Sequence, residues 1–206
     1  MTLNYKSIST IILLIFHFVG ILLFVYDPKS AQLSFLTVIV CGVLLLLNEK
    51  RSGNYKSYAF IFLGGYLVEV IGVNTQILFG NYSYGSALGI KLLNVPPLIG
   101  LNWLIIIISG ASISRWILKD KPLWVLAIAA AFICTLLDVI IEPVAIKFNF
   151  WQWDGDVVPI YNYVCWFILS IAFSYVYLAK KTDINRIGIR TYGIWILFFS
   201  LLNIIQ

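Results

Sequence analysis

The stretch PLWVLAIAAAFICTLLDVIIEPVAIKFNFWQW, residues 122–153, holds two kinds of chemistry in one run. Residues 122–145 are apolar but for Thr135, Asp138 and Glu142, and the run is long enough to cross a bilayer as a helix. It then breaks into a loop bearing Trp151 and Trp153. A carboxylate at the depth of Asp138 costs several kcal/mol unless it faces a protein interior and finds a partner or a proton, so a lone lipid-facing helix is excluded.

Working outward, the whole chain repeats this solvent preference. Of 206 residues, 61% are hydrophobic and 11% charged, with mean hydropathy +0.95, more apolar surface than one soluble core of this size hides. Seven runs have spanning length: 8–26, 31–47, 57–79, 98–118, 122–145, 160–179 and 189–205. The links are short, so the expected fold is all-α: one polytopic integral-membrane domain, 1–206, of about seven transmembrane helices. No small-residue cleavage site follows the first run, which reads as a retained helix.

Basic residues set the expected orientation. Lys6, Lys50, Arg51, Lys56, Arg115, Lys119, Lys121, Lys180, Lys181, Arg186 and Arg190 fall in one set of links, against Lys29, Lys91 and Lys147 in the other. The N-terminus is therefore expected in the cytoplasm and the C-terminus outside, in the cytoplasmic membrane. The net charge of +5 is a topology signal, and no nucleic-acid partner is expected. Cys41, Cys134 and Cys165 lie in apolar runs at unrelated spacings and read as packing residues. His17, alone in the first run, reads as a buried donor to a carbonyl. No Gly-rich phosphate loop, metal-ligand cluster or GxSxG occurs.

The acid-then-aromatic pattern occurs twice. Tyr82 and Tyr84 follow Glu69 by 13 and 15 residues, and Trp151 and Trp153 follow Asp138 at the same offsets. Val95-Pro96 and Val158-Pro159 come next, each with a tryptophan seven residues past the proline, Trp103 and Trp166. Asn102 and Asn162 lie in the first turns of the following runs. The spacing suggests a parallel duplication of two helix hairpins, 57–118 and 122–179, with its pseudo-axis along the membrane normal. Glu69 and Asp138 are then expected to face one shared cavity beneath equivalent aromatic lids.

Three acids lie inside spans: Glu69, Asp138 and Glu142. On a helix, Glu69 shares a face with Gly65, Gly72 and Gln76, and Asp138 with Ala131, Cys134 and Glu142, small neighbours that leave room for close packing or a ligand. Asp138 and Glu142, at i and i+4, cannot both ionise cheaply in low dielectric, so one is expected to hold a proton. Such a pair suits acid–base work; the structural alternative is interhelical glue. Pro143 removes a backbone donor and frees the Val139 carbonyl. The external aromatics Tyr82, Tyr84, Trp103, Trp151, Trp153, Tyr161 and Trp166 fit an ordinary interfacial belt one by one, and as a set fit a long planar apolar ligand whose developing cation their faces stabilise.

The motifs E-x-x-G-V-x-T at 69–75, F-G-x-Y-x-Y-G at 79–85, D-x-x-x-E-P at 138–143, W-x-W at 151–153 and V-P-x-x-N-x-x-x-W at 158–166 resemble the integral-membrane carotenoid biosynthesis family. Its characterised members include CruF-type carotenoid 1,2-hydratases and bisanhydrobacterioruberin hydratase-like enzymes. The resemblance covers about 57–179; the first two runs and the last read as generic. It implies a cofactor-independent hydro-lyase that adds water across the terminal C=C of an acyclic carotenoid end. Asp138, Glu142 and Glu69 are the implied acid–base set, and Tyr82, Tyr84, Asn102, Trp103, Trp151, Trp153, Asn162 and Trp166 the implied substrate lining. Implied partners are a long apolar carotenoid, membrane lipid and other carotenoid enzymes. No metal, nucleotide or flavin is required for protonation of an alkene followed by water capture.

Two rival classes remain at this level. An end-group cyclase or isomerase uses the same protonation but traps the cation with an internal alkene. A non-enzymatic transporter or lipid-binding protein needs no acid chemistry. A retinal protein is disfavoured because 189–205 carries no lysine.

Overall fold

The computed structural model describes residues 5–49, 55–180 and 183–205. Lys50, Arg51 and Lys181, counted above in the basic set, lie outside the described residues. The chain is all-α apart from two short strands. In order, the elements are α1 (Tyr5–Tyr26), a 3-10 turn (Pro28–Leu33), α2 (Ser34–Leu47), α3 (Tyr55–Thr75), β1 (Tyr82–Tyr84), α4 (Leu98–Leu118), α5 (Leu123–Lys147), β2 (Trp151–Trp153), a second 3-10 turn (Asp154–Asp156), α6 (Ile160–Leu178) and α7 (Arg186–Ile205). Seven helical segments are long and apolar enough to cross a membrane, the 3-10 turn and α2 counting as one. Seven crossings place the α3–α4 and α5–α6 loops on the same face.

The bundle is organised around α4, which packs against α2, α3, α5, α6 and α7. Its middle is a run of Ser109, Gly110, Ala111 and Ser112, all buried. Small residues let backbones approach where lipid supplies no hydrophobic drive between helices. At Gly110 an added Cβ would meet Cys134 Sγ at 2.6 Å and the Ala130 carbonyl at 3.1 Å, so α4 and α5 touch there. The three cysteines are free and buried, as packing residues. His17 donates from Nδ1 to the Leu13 carbonyl at 2.7 Å, the ordinary role expected of it. At the other end of the bundle from the aromatic loops, Glu49 accepts from Tyr58 (2.8 Å), Tyr177 (3.0 Å) and Asn185 (2.5 Å), tying α2, α3, α6 and the start of α7.

Two features depart from the sequence reading. α3 ends at Thr75, not at residue 79, because Gln76 and Phe79 take left-handed backbone angles (φ 60° and 67°) and turn the chain back over the bundle. Gln76 is therefore exposed and leaves the face it was expected to share with Glu69. Secondly, the two aromatic loops are not separate lids. Their strands pair antiparallel, Tyr82 opposite Trp153, Ser83 opposite Gln152 and Tyr84 opposite Trp151. Gly85 makes this approach possible: its N–H donates to Phe150 O, and a Cβ there would stand 1.8 Å from the Asn149 carbonyl oxygen.

Candidate functional site

The pairing of β1 and β2 drives four aromatic side chains down onto the acids of α3 and α5. Glu69, Asp138 and Glu142 are all buried. Glu69 accepts from Tyr82 Oη at 2.5 Å and Tyr84 Oη at 2.8 Å on one oxygen, and from Trp103 Nε1 at 2.9 Å on the other. Trp103 reaches it across Gly65, where any Cβ would overlap the indole at 2.5 Å. Gly65 is thus small because α4 must present an indole N–H to α3.

Glu142 is held in the same manner from the second hairpin. Trp151 Nε1 (2.9 Å) and Trp153 Nε1 (3.0 Å) donate to one oxygen, and Asn162 Nδ2 (3.3 Å) to the other. Asn162 also donates to Asp138 Oδ2 at 3.1 Å, so one amide links both acids of α5 to α6. That bond is the one Asp138 receives among the described residues. The tryptophans spaced 13 and 15 residues from Asp138 serve Glu142 instead, one helical turn nearer the strand.

Hydrogen bonds to carboxylates are charge-assisted and stronger than neutral ones. Glu69 and Glu142 each accept three such bonds, and Asp138 accepts one. The donors stay donors: burial first, then the charge of Glu69, holds the Tyr82 and Tyr84 phenols well above their usual range.

These groups enclose a cavity of about 20 Å³ lined by all three acids, Tyr82, Tyr84, Trp151, Trp153, Trp166, Asn102 and Asn162, with Ile99, Ile106, Ile141 and Phe79. That volume holds about one water molecule, and the lining offers more than the two to four polar partners a water needs. Of the residues singled out from the sequence, Trp103 stands behind this lining, bonded to Glu69 and stacked on Trp166 with centroids 3.8 Å apart and planes 8° from parallel. Tyr161 is outside it: exposed, its hydroxyl donates to the Ile77 carbonyl.

Against this cavity lies a much larger one, about 380 Å³, that no sequence motif marks. Residues of α1, the first 3-10 turn, α2 and α7 make most of its wall, helices that carry no motif. Ile99, Asn102, Ile141 and Trp151 line both spaces. A pattern search misses such a cavity because its walls are ordinary aliphatic and aromatic residues.

In comparison with known proteins, residues 30–205 match the model of a family described as carotenoid biosynthesis protein. No curated protein and no solved structure matches the chain.

Proposed function

Since the chain belongs to the carotenoid biosynthesis protein family, which it matches from the first 3-10 turn to the end of α7, its role lies in carotenoid biosynthesis, and we propose that it hydrates the terminal double bond of an acyclic carotenoid end. The observation that carries this reading is the small cavity: room for about one water, bordered by three carboxyl groups that are held unequally. A cyclase needs the proton donor but no place for water.

The unequal holding assigns the roles. Asp138, with a single donor, carries the proton. It delivers that proton to the less substituted carbon of the terminal trisubstituted alkene, and the π pair forms the new C–H bond. The positive charge falls on the tertiary carbon at the wall shared with the larger cavity, where the Glu69 carboxylate and the face of Trp151 stabilise it. Water in the cavity attacks that carbon, and its surplus proton passes to Glu142. One water is consumed, one tertiary alcohol forms, and a proton returned from Glu142 to Asp138 restores the site. Asn162, bonded to both acids, fixes their separation.

The test is expression in a lycopene-producing host with mass analysis of the pigments. A product one water heavier than its precursor is expected. A product of unchanged mass bearing a ring would make the protein a cyclase, and unaltered pigment would leave a transport or lipid-binding role.

A further inference from the structure

The 380 Å³ cavity has features that internal packing does not explain. Protein interiors contain few voids larger than a water, whereas this volume falls in the range of ligand sites. It is not sealed. On its rim Ile15, Val19 and Leu36 are 54%, 44% and 44% exposed, and these belong to spans whose outer surface meets lipid. Its deeper wall, by contrast, is formed by the buried aromatics Phe24, Phe150, Trp195 and Phe198. The space is thus an apolar groove that opens sideways into the membrane between α1 and α2 and closes inward on α4 and α5.

Its inner end is the wall shared with the carboxylate cavity. Ile99 and Ile141 there are buried, and between them stands Asn102, whose side chain has no hydrogen-bond partner among the described residues. His17 also lines the groove, but its Nδ1–H is already given to the Leu13 carbonyl. Polar side chains thus stand at both ends of the groove: Ser30, Ser34 and Thr37 near its opening, and Asn102 at its contact with the acids.

We infer that this groove is the binding site for the polyene chain of the substrate, which enters laterally from the lipid and lies between α1, α2 and α7 with its reacting end at the Ile99–Asn102–Ile141–Trp151 doorway. The inference rests on the reading of the carboxylate cavity as the reacting site. It also narrows the substrate class. The space beyond the doorway is filled by about one water, so the reacting carbons stop at the doorway itself, where a slender open-chain end approaches Asp138 more closely than a bulkier ring does. Asn102, facing both spaces with its amide uncommitted, is placed to hold the water against the incoming alkene.

The test reads binding without turnover. Full-length protein is placed in phospholipid nanodiscs, and quenching of its tryptophan emission by added lycopene is titrated; Trp151 and Trp195 line the groove. Saturable quenching is expected, with Kd raised about tenfold or more by Val19→Phe combined with Leu36→Phe on the rim. Leu14→Phe combined with Ile39→Phe, on lipid-facing positions of the same helices outside the groove, should leave Kd unchanged. β-Carotene, of similar length but cyclised at both ends, should quench at least about tenfold more weakly. Equal Kd for the two double variants, equal quenching by β-carotene, or no saturable quenching because lipid tails fill the groove, each overturns the inference. Lycopene that binds as expected yet gains no water sinks the hydration reading and leaves the groove standing. Hydration that persists with unaltered binding in the rim variant sinks the groove alone.

Discussion

The two hairpins solve one problem with different side chains. Each brings a buried glutamate under three donors, two from a strand and one from the following helix. In the first hairpin the donors are two phenols and an indole, on Glu69. In the second they are two indoles and an amide, on Glu142. An indole N–H stands closer to its own backbone than a phenol O–H, and the carboxylate it serves sits one turn nearer the strand. The residue that matches Glu69 in sequence, Asp138, is thereby left with one donor. The position that matches Glu142, one turn past Glu69, is Val73, and the position that matches Asn162, three past the proline, is Ile99. The second hairpin thus has an extra acid and an amide to hold it where the first has aliphatic residues. In the proposed reaction, binding a charge is the work of the first hairpin and handling a proton that of the second.

Residues at matched sequence offsets meet across the two hairpins. Trp103 and Trp166, each seven residues past its proline, are stacked, and Ser83 stands opposite Gln152 at the centre of the strand pair.

The comparison requires both loops to lie on one side of the membrane, and an all-or-none experiment can break it. With the expected orientation, Ile90→Cys and Val157→Cys in intact cells should react with an impermeant maleimide, while Lys121→Cys should react only after lysis. These positions are exposed, and the three native cysteines are buried. Labelling of one loop and not the other would separate the hairpins and dissolve the shared site.

Next in size are the acids. Asp138→Asn should lower turnover at least about 10²-fold, since an amide keeps the hydrogen bonding but cannot donate a strongly acidic proton. Glu142→Gln should follow at about 10²-fold through loss of the base, and Glu69→Gln at about tenfold, as a charge that stabilises without moving a proton. Pigment conversion rates in membranes, normalised to folded protein, give the order. If Glu69→Gln proves the most damaging, the division of labour between the hairpins is reversed. If all three convert at the parental rate, the carboxylates are interhelical glue.

Much of this is legible in the sequence, and the part that is not has physical reasons. Seven apolar runs and three intramembrane acids are composition, and they mark the spans and the acids that line one cavity. The end of α3 was not composition: Ile77, Leu78 and Phe79 continue the apolar run beyond the helix. What reverses the chain is tertiary, the Phe79 N–H on Cys165 Sγ at 3.4 Å and the Tyr161 hydroxyl on the Ile77 carbonyl. Strands of three residues are too short to show an alternation, so two lids were expected where one paired ribbon forms. The matched offsets of 13 and 15 do not carry over to the bonding: Tyr82 and Tyr84 serve Glu69, whereas Trp151 and Trp153 serve Glu142, because reach depends on side-chain length as well as spacing. The groove is unfilled volume, which no residue pattern encodes.

The smallest effect concerns the stacked tryptophans. Trp103 and Trp166 share a single stack, yet only Trp103 also gives its indole N–H to an acid, at 2.9 Å from Glu69. Phenylalanine at either position keeps an aromatic face and trims the overlap, so each variant loses part of a contact worth about 0.5–1.5 kcal/mol. Trp103→Phe additionally strips a donor from a buried carboxylate, a bond to a charged group worth about 1.5–3 kcal/mol. Thermal unfolding of the purified protein in one detergent should therefore rank parent, Trp166→Phe and Trp103→Phe in falling stability, the second gap exceeding the first. Combining Trp103→Phe with Glu69→Gln removes the charge that the indole served, and the extra loss at Trp103 should then shrink toward the value at Trp166. If the two tryptophans are equal in the parent background, the N–H on Glu69 contributes nothing beyond packing, and the hairpins differ less than their hydrogen bonds suggest.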